Sequence, residues 1–195
     1  MRIYLDNSVI GRLLDIDRGI QSLNRMLEED MAVLPDLFKA CVQKDIQFCA
    51  SDDAGAEIEK LRHRRPELTD ALMAKLQSFT LVPIRHATRY NDGHHYGMGA
   101  TYAGNSPRKV DLLAQELNDF LLRKTRITKD AKREAIKWDA YHLAVCKDTG
   151  CDIFLTCDYA SIWKYREPLK LFGIEVKRPL ELSKELQNTD SSALP

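Results

Sequence analysis

Residues 139–158, DAYHLAVCKDTGCDIFLTCD, decide the fold of this chain. The first ten close a helical stretch predicted over about Lys129–Asp148, and Gly150 supplies the stop signal. The chain then turns apolar and β-branched over Asp152–Thr156, a predicted strand, and Asp158 follows with a short helix expected to Tyr165. A helix feeding a short buried strand is half of a βαβ unit, and such units build parallel sheets covered on both faces.

The same rhythm runs outward in both directions. Arg2–Leu5 reads as a strand, followed by Asp6 and a helix from about Ser8 to Asp15. A long helical period over Gln21–Gln43 repeats Leu23, Met26, Leu27, Leu34, Leu37, Phe38, Ala40 and Cys41 at spacings of three and four. Ile46–Ala50 is a second strand. Ser51 stands where a hydroxyl would cap a helix through about Arg62, and Pro66 opens another that ends near Phe79. Leu81–Ile84, a helix over Lys109–Arg123, a strand Ile174–Lys177 and a closing helix from Pro179 complete the alternation. The reading is one α/β domain over 1–187, with a long loop insertion at 85–107 and a tail at 188–195.

Composition narrows the class. The 195 residues are 44% hydrophobic and 30% charged, which suits a packed globular domain and excludes collagen-like and low-complexity chains. No apolar run approaches the roughly 20 residues that a bilayer requires, so no membrane association is expected. The start, MRIYLD, lacks an apolar signal stretch, and the five cysteines form no C-x-x-C pair; both lead us to expect a cytoplasmic protein with reduced thiols.

Charge is balanced overall, 29 bases against 29 acids, but unevenly spread. Residues 1–59 carry twelve acids and six bases, while 123–137 carry seven bases and two acids. The basic strip, with Arg126, Lys129, Lys132 and Arg133 at its centre, is the candidate for holding a phosphodiester backbone.

The acids at strand ends carry the chemistry. Asp6 ends the first strand, Asp158 follows the fourth, and Glu57 lies two turns into the helix after the second. In a parallel sheet these positions collect on one edge, where ligands bind, and Asp139 joins them if the start of its helix faces that edge. Carboxylates so crowded repel one another unless a cation neutralises them, and an oxygen-only set favours Mg²⁺ or Mn²⁺. Phosphodiester hydrolysis is the chemistry such a centre serves. Ser8 and Thr156 either cap helices or hydrogen-bond a carboxylate. His142, three residues beyond Asp139, is read as packing or as approaching the site. On the loop at 85–107, Tyr90, Tyr96 and Tyr102 with Arg85 and Arg89 could stack on unpaired bases, and His94–His95 face water.

YLDNSVI (4–10), the six-residue step from Ser51 to Glu57, D-A-x-H-L-A at 139–144 with F-L-T-x-D at 154–158, and IEVKRPLEL (174–182) resemble the successive motifs of PIN-domain nucleases. The resemblance covers residues 3 to about 185. It implies a three-layer α/β/α sandwich around a mostly parallel five-stranded sheet, and a metal-dependent endoribonuclease. Asp6, Glu57, Asp139 and Asp158 would be its acidic quartet, with Ser8 and Thr156 as supporting polar residues. RNA is then the expected partner, a homodimer is consistent with the family, and the toxin of a toxin–antitoxin pair, which would add an antitoxin protein, is an alternative role. A PIN-like module that binds RNA or protein without cutting is the other alternative. A haloacid-dehalogenase-like phosphatase is disfavoured, because its D-x-D would need an acid where Ser8 stands.

Overall fold

The computed structural model describes residues 1–77, 82–84, 109–126 and 129–191. The loop expected at 85–107, with its tyrosines and His94–His95, lies outside them, as do residues 192–195 of the expected tail.

The elements in chain order are β1 (Arg2–Leu5), α1 (Asn7–Asp17), α2 (Arg25–Gln43), β2 (Gln47–Ser51), α3 (Asp52–Glu59), α4 (Pro66–Gln77), β3 (Val82–Ile84), α5 (Lys109–Thr125), α6 (Asp130–Asp148), β4 (Ile153–Leu155), α7 (Arg166–Leu169), β5 (Val176–Lys177) and α8 (Pro179–Ser191). The strands lie in the order β3-β2-β1-β4-β5, and every neighbouring pair is parallel. Four strands have three residues or more, and the fifth segment is a two-residue pairing at the edge. The expected fifth strand over Ile174–Lys177 is thus shortened: Ile174 is buried and its N–H bonds back to Leu169, leaving only Val176 and Lys177 to pair with β4.

Alternation of side chains along each strand divides the core in two. Tyr4, Cys49, Phe154 and Val176 face the cluster built by α5 and α6, with Leu117, Leu121, Ile136 and Leu143. Ile3, Leu5, Phe48, Ile153 and Leu155 face the opposite cluster, with Val9 and Ile10 of α1, Leu34 and Leu37 of α2, and Leu182 of α8. Strands buried on both faces must read as continuous apolar runs, which is why RIYL and IFL show no polar alternation. Each such aliphatic side chain contributes about 1.5–3 kcal/mol by leaving water.

Several boundaries move for identifiable reasons. Helix α2 begins at Arg25, not Gln21, because the Asn24 side chain accepts the N–H of Met26 at 3.0 Å and so caps it there. Ser51 occupies the cap position of α3 but makes no side-chain cap bond, since its hydroxyl accepts from Tyr4 at 3.0 Å. The helix expected from Asp158 does not form. Its carboxylate takes the N–H groups of Ala160 and Ser161 at 2.9 and 2.8 Å, turning the chain into a short 3₁₀ turn at Trp163–Tyr165 before α7. At the other end α8 runs through Ser191, into the stretch expected to be tail.

The topology reverses between β1 and β4. From β1 the chain moves outward to β2 and β3, then returns through α5 and α6 to lay β4 on the other side of β1. The carboxyl ends of β1 and β4 therefore border the crevice in which open parallel sheets bind ligands.

Candidate functional site

At that switch point the backbone stitches the two strand ends together: the N–H of Asp6 donates to the carbonyl of Leu155 at 3.1 Å. Asp6 is 9% exposed and sits at the cap position of α1, yet its side chain makes no cap bond. Instead one carboxylate oxygen, Oδ2, accepts both the Ser8 hydroxyl and the Thr156 hydroxyl, the latter at 2.7 Å. Ser8 and Thr156 are themselves 3.2 Å apart, and each hydroxyl oxygen also accepts a backbone N–H from the strand end, Cys157 to Ser8 and Asp158 to Thr156, both at 2.9 Å. The two hydroxyls thus tie Asp6 to the loop that carries Asp158. They serve the carboxylate, the second of the two roles their sequence positions allowed.

Asp139, on the tenth residue of α6, completes the group. Its pKa is raised well above the ordinary carboxylate value, first by burial, then by repulsion from Asp6 and Asp158, with Glu57 adding to it; a hydrogen bond with Ser161 works the other way. Asp6 is raised as well, by burial above all, with Ser8, Thr156 and His142 offsetting it and Glu57 adding to it. Four acids from four elements are therefore close enough to repel one another. Among the described residues no Lys or Arg forms a salt bridge with Asp6, Asp139 or Asp158, in contrast to Asp30, which Arg178 meets at 2.9 Å.

Glu57 is placed differently. One of its oxygens, Oε2, accepts from the side-chain amide of Asn7 and faces His142 Nε2 at 3.2 Å. Burial pushes its pKa up, but the His142 hydrogen bond and charge, with Asn7 and Lys60, outweigh burial and bring it below the usual value. Glu59, two residues further on, is exposed and paired with Arg62, whereas Glu57 is half-buried against Asn7 and His142. Arg62 also meets Asp70 at 2.7 Å and has no charge to spare for phosphate.

The donor chemistry suits a hard cation: carboxylate oxygens, hydroxyls and no sulfur. The residue next to Asp6 carries a further acceptor. Asn7 Nδ2 is directed at two acceptors, Glu57 Oε2 and the carbonyl of Ala54, so the orientation of the amide is determined, and its Oδ1 is buried with no partner. As the side chains stand, no group of three His, Cys, Asp or Glu residues among the described residues converges on a single cation position. Asp158 is the reason in part, because its carboxylate is occupied by the turn that follows it.

The basic strip lies across the end of α5, the turn at Arg126 and the first turns of α6. Arg126, Lys129, Lys132 and Arg133 are all exposed, and Arg126 holds a left-handed backbone at φ 53°. Lys137 is paired with Glu134 at 3.0 Å. Arg133 stands six residues before Asp139 on the same helix, about 9 Å along its axis. On the other rim Lys60 lies 3.5 Å over the ring of Trp138, the residue preceding Asp139.

Sequence reasoning did not single out Asn7, Tyr4 or Ser161, and read Ser51 as a helix cap and the start of the step to Glu57. Asn7 directly follows Asp6, and Ser161 is three residues beyond Asp158, the spacing of a side-chain-capped turn; both signals were present in the chain. Compared with known protein families, with curated proteins and with solved structures, the chain matches none. None of the helices described is long and apolar enough to cross a membrane.

Proposed function

We propose that this chain is a divalent-cation-dependent endoribonuclease with a PIN-like three-layer α/β/α sandwich, acting at the crevice between β1 and β4. The observation that carries the reading is mutual repulsion. Asp6, Glu57, Asp139 and Asp158 come from four separate parts of the chain, and Asp6 and Asp139 are held where ionisation is penalised with no Lys or Arg salt bridge among the described residues in compensation. A fold retains such a group when a cation completes it.

A bound Mg²⁺ or Mn²⁺ would supply Lewis acidity toward the scissile phosphate and lower the pKa of an attacking water. The residues that would hold it are Asp6, Asp139 and Glu57, with Asp158 joining by releasing its turn. Ser8 and Thr156 fix the Asp6 carboxylate through one oxygen and leave the other for the ligand. Arg126, Lys129, Lys132 and Arg133 would hold the RNA backbone beyond the site, an interaction weakened by salt.

The unassembled cation position and the capping role of Asp158 favour one rival, a PIN-like module that binds RNA or protein without cutting it. Incubation of single-stranded RNA with Mn²⁺, with and without chelator, separates the two. Wild type should cleave only in the unchelated reaction, and Asp6→Asn should lose at least about 100-fold in rate, the loss typical when a charge-stabilising group is removed. Equal cleavage by both proteins, or cleavage that ignores the chelator, defeats the nuclease reading. RNA binding without any cleavage establishes the rival.

A further inference from the structure

Behind Glu57 a line of polar groups runs into the core. His142 is 4% exposed, Tyr4 is fully buried and Ser51 is 4% exposed. The Tyr4 hydroxyl donates to Ser51 Oγ at 3.0 Å and lies 2.6 Å from His142 Nδ1, while His142 Nε2 faces Glu57 Oε2 at 3.2 Å. A carboxylate only accepts, so Nε2–H donates to it. The Tyr4 ring is stacked on Phe154 at 5.3 Å, and the imidazole is packed between Tyr4, Trp138 and Tyr141.

Packing alone does not call for this chain. The positions face an apolar cluster of Leu, Ile, Phe and Val, where an aliphatic residue would fill the space without the desolvation of three polar groups. The chain does accomplish one thing that a hydrophobic replacement could not: it dictates where Glu57 points. Both donors to Glu57, from Asn7 in α1 and from His142 in α6, converge on the same oxygen. Among the described residues Oε1 receives no hydrogen bond. The carboxylate is therefore clamped by one atom from two elements and presents the other.

We propose that His142 is a positioning residue for Glu57, held from behind by Tyr4 and Ser51 so that Glu57 Oε1 is directed to the cation position among the acids. This rests on the nuclease reading above and adds to it a buried support that reaches from β2 through β1 and α6 to the acid of α3. Hydrogen-bonded supports of this kind typically change metal affinity 10- to 100-fold when removed.

Two near-isosteres of histidine separate the two arms of the support. His142→Gln places an amide nitrogen where Nε2 lies and retains the bond to Glu57; His142→Asn places one where Nδ1 lies and retains only the bond to Tyr4. Each loses one buried hydrogen bond, so a purely structural role predicts similar losses for both. The measurement is Mn²⁺ affinity by calorimetry on the full chain, with thermal unfolding recorded alongside. The expected result is a dissociation constant within about threefold of wild type for His142→Gln and 10- to 100-fold weaker for His142→Asn. In a Glu57→Gln background, His142→Asn should then make no further difference. Equal affinities for the two variants, or an undiminished effect of His142→Asn without Glu57, overturn the proposal while leaving the nuclease reading standing. Absence of Mn²⁺ binding by the wild type overturns both. Should His142→Asn not fold, Tyr4→Phe carries the test, because it keeps the stacked ring and removes only the hydroxyl; unchanged Mn²⁺ affinity in that variant rejects the support.

Discussion

Two sets of enclosed carboxylates among the described residues are treated in opposite ways. Asp30, in α2, has no solvent exposure, and every oxygen is answered: Oδ1 by Arg178 Nε at 2.9 Å and by the N–H of Leu180 at 3.0 Å, Oδ2 by the Tyr159 hydroxyl. Arg178 also reaches the carbonyl of Met26 at 3.0 Å and Glu29 at 3.2 Å. The pair fastens α8 to α2 and, through Tyr159, fastens the loop after β4. Asp6, 9% exposed, and the half-buried Asp139 are answered by hydroxyls, with the His142 charge offsetting burial at Asp6, and by no Lys or Arg salt bridge among the described residues. A neutralised buried acid is an anchor; one without a salt-bridge partner costs stability when it ionises.

The sharpest break of this comparison is at the anchor. Arg178→Ala leaves Asp30 buried and unpaired, and urea unfolding should register a loss of about 3–5 kcal/mol. At the site the same type of experiment should run the other way. Asp139→Asn removes a penalised charge, so the protein should be as stable as wild type or more so, while RNA cleavage falls about 100-fold or more. Loss of stability in Asp139→Asn comparable to that in Arg178→Ala would erase the distinction.

Ligand and proton should each relieve the site alone. With Mn²⁺ at about 100 times its dissociation constant, wild type should gain roughly 2.7 kcal/mol and Asp6→Asn much less, read as a shift in melting temperature. Because the pKa of Asp139 is raised in the folded state, the folded protein binds its proton more tightly than the unfolded chain. Its penalty is absent below the unfolded value near pH 4 and grows as pH rises through the folded value, so the melting temperature of wild type should fall relative to Asp139→Asn over that rise. Glu57 has the opposite sign, its lowered pKa adding stability above about pH 4 that disappears as pH falls. A difference between wild type and Asp139→Asn that stays flat with pH would show that Asp139 is not strained. The smallest effect belongs to the rim. Lys132→Ala with Arg133→Ala should weaken RNA binding and reduce its salt slope by about two, without moving the melting temperature appreciably.

Much of the architecture was legible because its signals are local. The strand RIYL, the helix–Gly150–IFL passage and the Pro66 start of α4 each carry their instruction within a few residues. Boundaries shifted where a side chain chose a partner that the local reading did not assign. Ser51 gave its hydroxyl to Tyr4, 47 residues away, and Asp158 spent its carboxylate on a turn rather than starting a helix. The site was half legible. Acids at the ends of β1 and β4 must meet in a parallel sheet, whereas the Glu57–His142 bond spans 85 residues, and nothing in a one-dimensional pattern states it.

By itself, then, the chain's pattern of apolar runs and breakers determined that strands would alternate with helices and that Asp6 and Asp158 would close neighbouring strands, because side-chain period and turn chemistry act over three or four residues. Only the tertiary structure decided which buried acid received an arginine and which did not. Arg178 and Asp30 lie 148 residues apart, as Tyr4 and His142 lie 138 apart, and whether a charge is paired or left open depends on which elements pack together. Burial lowers the dielectric and makes that choice count, turning one carboxylate into a fastening and leaving another without a salt-bridge partner.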